Sequence, residues 1–231
     1  MSEYRAAADV VVIGGGAIGL SIAWRASERG LRVIVLERDR VGGGTSRVAA
    51  GMLAPIAEVT PGEEPLLHLG SESARLYPEF VAGLLEASGA DSVGYTRCGT
   101  LLVARDADEA QALERELELR HRFGLRVERL RASEARRREP GLAPSLRLAL
   151  DVPDDHAIDP RALVPALAAA VRAAGGEVRE RSGVDRVALA GDRVAGVVLA
   201  DGSRVSADRV VIAAGVWSPE IGGIPVELQM P

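Results

Sequence analysis

At 231 residues, with 28 basic and 33 acidic side chains and a formal net charge of −5, the chain is long enough for one large domain or two modest ones and has no global positive field to draw nucleic acid or an anionic membrane. Every Lys/Arg-class side chain is arginine and Asn is absent, which removes a lysine Schiff base, a lysine-bearing phosphate loop and N-glycosylation. The single cysteine, Cys98, excludes an internal disulfide framework and any cysteine-built metal site, and no apolar run approaches the roughly 18 residues of a membrane span, so the expectation is a soluble, cytoplasmic protein with no membrane partner.

The first element expected is a strand over Ala8–Ile13, β-branched and buried on both faces. A glycine turn leads into a helix from Ala17 to Arg29 with Ile18, Ile22 and Ala26 on one face, and Gly30 stops it before a second strand, Arg32–Leu36. This is a β-α-β unit. A nicotinamide enzyme of the doubly wound type would continue into further alternating strands and helices. Here a loop of small residues, Gly42–Gly51, intervenes before a helix over Pro65–Ala87, where Leu66, Leu69, Leu76, Phe80 and Leu84 recur at helical spacing. Strands are expected at Ser92–Thr96 and Thr100–Ala104, a charged helix at Ala107–His121, and strands at Leu125–Leu130 and Leu146–Leu150. Arg136–Arg138, flanked by Glu134 and Glu139, reads as a solvated helix face. Asp159 caps a helix opened by Pro160 and closed by Gly175–Gly176. Strands follow at Gly176–Arg179, Val184–Leu189, Arg193–Leu199 and Ser203–Val205, and Asp208–Ala214 with Gly215 repeats the opening pattern of buried strand and glycine.

Gly14, Gly16 and Gly19 have the spacing that permits a tight strand-to-helix turn, close approach of a pyrophosphate to bare backbone and close packing of the helix on its strand. The free N–H groups and positive dipole end of that helix favour phosphate. Glu37, at the end of the second strand, can accept hydrogen bonds from ribose hydroxyls and repel a 2′-phosphate, which disfavours NADP. Arg38 flanks either the adenosine or water. His68, His121 and His156 are scattered without metal-ligand spacing, Cys98 reads as a packed small side chain, and Trp217 either covers the cofactor or fills the core.

Ile13–Gly19, then Glu37, then Thr45-Ser46-Arg47-Val48-Ala49-Ala50-Gly51-Met52-Leu53-Ala54-Pro55, later Asp159-Pro160-Arg161 and Ala214-Gly215-Val216-Trp217-Ser218, give a chain that resembles the FAD-dependent oxidases of the D-amino-acid oxidase type, most closely the glycine oxidases of thiamine biosynthesis. The resemblance implies α/β architecture: a Rossmann-like FAD-binding domain in two pieces, residues 1–88 and 151–231, with an interleaved, incomplete α+β substrate lobe at 89–150. It implies FAD contacts from Gly14, Gly16, Ala17, Ile18 and Gly19, ribose contacts at Glu37 with Arg38 beside it, and phosphate or ribityl contacts at Thr45 and Ser46. Ala50, Gly51 and Met52 fall near the flavin ring, where small side chains let the backbone approach, and Val184 supplies a backbone contact to adenine.

The activity implied is hydride transfer from a small amino acid to the flavin, giving an imine that hydrolyses to a keto acid and ammonia, with oxygen reoxidising the flavin to yield peroxide. No catalytic residue is assigned, because the flavin performs the chemistry and no protein acid or base is required; the substrate carboxylate in such enzymes is held by an arginine from a later part of the chain. The resemblance covers only the amino-terminal portion of a family member, and Val226–Pro231 departs from the basic, glycine-containing continuation usual there. Three readings stay open: an oxidase, homo-oligomeric at full length; a flavin amine dehydrogenase that passes electrons to a carrier; and an inactive FAD-binding fragment.

Overall fold

The computed structural model describes residues 7–224; Val226–Pro231 and the extreme amino terminus lie outside the described residues. In chain order the elements are β1 (Ala8–Ile13), α1 (Ala17–Glu28), β2 (Val33–Leu36), α2 (Thr45–Val48), β3 (Met52–Leu53), α3 (Glu64–Ser88), β4 (Thr100–Ala104), α4 (Ala107–Arg122), β5 (Glu128–Leu130) and α5 (Ala132–Arg138). They continue with β6 (Leu148–Val152), β7 (His156–Ala157), α6 (Pro160–Ala173), β8 (Glu177–Arg179), β9 (Val184–Ala190), β10 (Arg193–Leu199) and β11 (Arg204–Ile212), followed by a 3-10 turn at Gly215–Glu220.

The chain forms two compact units whose boundaries fall after Ala50, Val81, Val93 and Ile158, rather than at 88/89 and 150/151. The first comprises the described parts of 1–50, 82–93 and 159–231, and the second comprises Gly51–Val81 and Gly94–Ile158.

The first unit is built on a six-stranded sheet of order β8-β2-β1-β11-β10-β9, parallel across β8, β2, β1 and β11 and antiparallel through β10 and β9. Because strand side chains alternate, Val11, Ile13, Ile34 and Leu36 share one face, where they pack with Val197, Val205 and Ala207. Val10, Val12, Val33 and Val35 take the opposite face. That both faces are covered explains why β1 and β2 read as unbroken apolar runs.

Helices α1 and α6 pack together. The buried face of α1 is Gly19, Leu20, Ala23, Trp24 and Ser27. Ile18 and Ile22 are 73% and 39% exposed, so the face expected from Ile18, Ile22 and Ala26 is not the one the helix buries. Small residues at 19 and 23 let the helix come close, and Trp24 fills the space beside them. Asp159 caps α6 through its side chain to Arg161 N–H, with Pro160 in the first turn.

The segments Ser203–Val205 and Asp208–Ala214 are not separate strands. They merge in β11, which pairs antiparallel with β10 through Arg204–Ser206 and parallel with β1 through Ala207–Ile212. Gly196 lies opposite this changeover at φ +127°, where an added Cβ would stand 2.0 Å from Val205 O. The close crossing of the two strands therefore requires glycine.

The second unit holds a three-stranded antiparallel sheet, β4-β6-β5, covered by α4 through Leu113 and Leu117, with Ile56, Ala104, Val127, Leu150 and Val152 in the same core. A small ladder, β3 with β7, pairs Met52 with Ala157 and Leu53 with His156. Ser92–Thr96 is not a strand; only Thr96 makes an isolated bridge, to Ala157. Strand β6 runs two residues later than expected. Arg136–Arg138 do lie on a helix, α5. In α3, Leu67, Val81 and Leu84 are buried whereas Leu66, Leu69 and Leu76 are about half or more exposed, so the expected stripe is displaced by one position near its start. Cys98 is exposed rather than packed.

Candidate functional site

Gly14 and Glu37 follow the carboxyl ends of β1 and β2, the position at which open parallel sheets bind their ligands. Gly14 sits at φ +112°, and a Cβ there would lie 2.3 Å from Ala213 O. A Cβ on Gly19 would lie 2.1 Å from Gly14 O. Gly14 therefore makes the turn and Gly19 seats α1 on it, whereas Gly16 faces only the Ser46 hydroxyl, with 3.2 Å between that oxygen and an added Cβ.

The first backbone bond of the turn into α1 is Leu20 N–H to Gly16 O at 3.0 Å. The N–H groups ahead of it must find partners outside the helix. Ser46 Oγ accepts from Ala17 N–H at 3.1 Å and Glu37 Oε2 accepts from Gly15 N–H at 2.8 Å. Ile18 and Gly19 are too near the start for an i→i−4 backbone bond, and with the dipole of a 12-residue helix they form an anion-binding end.

Glu37 is half-buried, and its second oxygen accepts from Asp39 N–H at 2.9 Å. Its carbonyl accepts from Ser182 N–H at 2.8 Å, which ties the segment leading to Val184 to the end of β2. Val184 opens β9 opposite Leu199. Arg38 is exposed but does not stand alone: its guanidinium carbon is 3.9 Å from the centroid of the Trp217 ring. Trp217 also abuts Gly44, where an added Cβ would come within 3.1 Å of the ring. A sequence reading had no signal for this cation–π pair, because Arg38 and Trp217 come from opposite ends of the chain.

The structure thus gathers Gly14, Gly16, Ala17, Ile18, Gly19, Glu37, Arg38, Ser46 and Val184 around one end of the parallel sheet, with Thr45 at the head of α2. The small-residue loop was not expected to contain a helix, yet α2 forms there and packs on α6, with Gly42 (φ +70°) close to Val164. Ala50 ends the first unit and is exposed. Gly51 (φ +82°) and Met52 open the second. Val48 and Met52 are 82% and 52% exposed.

In the second unit a cavity of about 260 Å³ lies between the segment after β3 and α3, lined among others by Leu53, Pro55, Glu58, Val59, Leu67 and Tyr77. Nearby, Tyr95 OH is 2.8 Å from His156 Nδ1, and the Tyr77 ring stacks on Tyr95 at 6.0 Å. Burial raises the Tyr77 hydroxyl above its ordinary pKa. Burial also lowers His156, helped by the charge of Arg97 and opposed by Asp154 and Asp155. Burial pushes the Asp155 carboxyl up, against bonds from Ile56 N–H, Ala57 N–H and Thr100 and the charge of Arg120. Among the described residues no group of three or more His, Cys, Asp or Glu side chains could hold a metal ion, and no helix is long and apolar enough to cross a membrane.

A sequence profile of the FAD dependent oxidoreductase family DAO matches residues 9–231. The glycine oxidase of Geobacillus kaustophilus is 33% identical over 93% of this chain, and its crystal structure superposes with a TM-score of 0.85. The 4-methylaminobutanoate oxidase (formaldehyde-forming) of Paenarthrobacter nicotinovorans is 34% identical over 94% of the chain. The chain spans 56% of the first relative's length and 26% of the second's. The bare glycine turn, the open helix end and the strand-end carboxylate fit the phosphates and ribose of FAD, and with the match over nearly the whole length they place this chain in the DAO family of FAD-dependent oxidoreductases.

Proposed function

We propose that this chain binds FAD for the oxidation of glycine or a similar small amino acid to its imine, with oxygen as the electron acceptor. The observation that carries the proposal is the glycine turn at the head of α1, open to a pyrophosphate and closed at its rim by Glu37 and Ser46. The similarity to a glycine oxidase supports the choice of substrate class.

In this reading the N–H groups of Ile18 and Gly19 at the head of α1 hold the pyrophosphate, with Ala17, whose N–H is bonded to Ser46 Oγ, lining the same turn. Glu37 accepts from the adenosine ribose, with Arg38 on its outer side held against Trp217. The backbone of Val184 meets adenine. Thr45 and Ser46 meet the phosphate and ribityl chain, and Ala50, Gly51 and Met52 line the ring. Bound there, FAD would supply the redox chemistry, a two-electron oxidation at the substrate's α-carbon. The protein's part is to hold and orient the cofactor and to keep water from its apolar side. Homo-oligomerisation, a cytoplasmic location and a role in forming the thiamine thiazole belong to the same proposal.

The test is a visible spectrum of the purified protein after incubation with FAD, followed by anaerobic addition of glycine, sarcosine or D-alanine. Bleaching by one of them, with peroxide formed on admitting air, is the expected result. A flavin that bleaches but yields no peroxide indicates a dehydrogenase. Protein that stays colourless after incubation with FAD refutes the cofactor assignment.

A further inference from the structure

Ile56 and Ala57 lie in an irregular segment of the second unit, yet both N–H groups and both carbonyls of this pair are bonded by side chains. Asp155 accepts from Ile56 N–H at 3.2 Å and from Ala57 N–H at 3.1 Å. Arg120 donates from Nε to Ile56 O at 2.9 Å and from Nη2 to Ala57 O at 2.5 Å. Both charged side chains are completely buried, each at 0% relative exposure. Buried backbone groups outside regular structure must find partners, and here they find them on residues 63 to 99 positions away.

Arg120 is held in turn by Glu116, through both its backbone carbonyl and its carboxylate at 3.1 Å. Asp155 is fixed at its own carbonyl, which accepts from Gly99 N–H at 2.9 Å. The next two residues after Asp155 form β7, which pairs with Leu53 and Met52. Asp155 and β7 therefore grip the 52–57 segment at two points, and Arg120 holds the second point from the other side. Leu53, Pro55, Glu58 and Val59, within and just beyond the gripped stretch, form one wall of the cavity beside α3.

Burying two charges to hold a loop is expensive, and an apolar filling stabilises a core at least as well when no backbone groups need partners. The geometry points to Arg120 and Asp155 as positioning residues for the substrate side of the cofactor: by clamping Ile56 and Ala57 they set where Met52 stands and where the cavity wall lies. This inference rests on the assignment of Met52 to the flavin ring. Neither side chain touches the reacting atoms.

The experiment uses FAD-loaded protein and the variants Asp155→Asn, Arg120→Lys and Arg120→Met. Asp155→Asn turns one acceptor into a donor facing an N–H. Arg120→Lys keeps the charge and loses the planar fork. Hydrogen exchange across residues 52–59 reads the clamp itself, the band shape of the flavin's visible spectrum reads the surroundings of the ring, and anaerobic reduction by substrate separates the limiting rate from apparent affinity. We expect faster exchange at 56–57, an altered flavin band and a limiting rate lowered roughly 10- to 100-fold with FAD retained, the effect of a misplacement of about 1 Å. Arg120→Lys should recover part of what Arg120→Met loses. Faster exchange with an unchanged flavin band and unchanged rate overturns the inference, as does wild-type exchange in every variant. If Asp155→Asn does not fold, Arg120→Lys decides by the same readings. If no amine reduces even the wild-type flavin, the proposed substrate fails, while exchange and band shape still decide the positioning role.

Discussion

Gly19→Ala isolates the contact on which the nucleotide turn depends. The added Cβ would lie 2.1 Å from Gly14 O, 3.2 Å from Gly14 C and 3.3 Å from the Ala213 Cβ, and real Cβ atoms essentially never approach within 3.0 Å. About 1 Å must therefore be found, and neither neighbour is a flexible tip. Gly14 has little room to move, because even a Cβ on it would lie 2.3 Å from Ala213 O. Helix α1 has to lift from the turn. Overpacking of this kind costs about 1–3 kcal/mol, and the upper end applies where only backbone can give. Alanine's helix preference returns roughly 1 kcal/mol, leaving a net loss of about 2 kcal/mol. For a chain of this length that lowers Tm by about 4–8 °C. The displaced N–H groups should weaken FAD binding as well.

Gly83→Ala is the matched control. It places the same methyl in a helix of the same unit, where the nearest atom is Trp24 Cη2 at an ordinary 3.8 Å. It should stabilise by about 0.5–1 kcal/mol. Thermal melts of both variants with and without FAD make the measurement. Equal Tm values for Gly19→Ala and wild type, or a loss in Gly83→Ala as large as in Gly19→Ala, would refute the close-packing argument.

Ser27→Ala should be neutral or stabilise by about 1 kcal/mol in a denaturant titration, because Ser27 Oγ is buried and has no hydrogen-bond partner among the described residues; a clear loss would show that the hydroxyl is satisfied. Glu37→Gln should weaken FAD binding roughly 10- to 100-fold, the equivalent of about 1.5–3 kcal/mol of charge-assisted bonding, in a titration followed by flavin emission, and an unchanged Kd would remove Glu37 from the ribose. For His156 the folded-state pKa lies below the ordinary 6.5, chiefly through burial. Its contribution to stability is therefore full above pH 6.5 and is lost as the pH falls from there through the folded value, since the unfolded chain binds the proton more readily. His156→Gln should flatten that part of the stability profile, and a ring titration by NMR giving a pKa at or above 6.5 would contradict it.

The cradle was legible in the sequence because its chemistry is local. A strand, a glycine turn, a helix and an acidic strand end follow one another within Ala8–Glu37, and the positive φ of Gly14 with the close approach of Gly19 to Gly14 O is local to that stretch. The faces of α1 and α3 were harder. Ile18 looks like a core residue, but it remains exposed because α1 buries the face that carries the small residues Gly19 and Ala23, and on α3 it is Leu67 rather than Leu66 that is buried. The two-residue strands β3 and β7 were invisible, since each exists only through the other, more than a hundred residues away. Arg120 was concealed differently. It stands in Glu114–Arg122, a stretch so charged that it reads as solvated, although it falls on the same stripe as the buried Leu113 and Leu117. Its partners, the carbonyls of Ile56 and Ala57, lie more than sixty residues away and leave no mark in the sequence. Phosphate recognition by backbone leaves a mark in the sequence that placement of a loop by buried charges does not. A relative that keeps Gly14, Gly16, Gly19 and Glu37 can therefore bind the same cofactor while a change at position 120 or 155 moves the segment that would face the substrate.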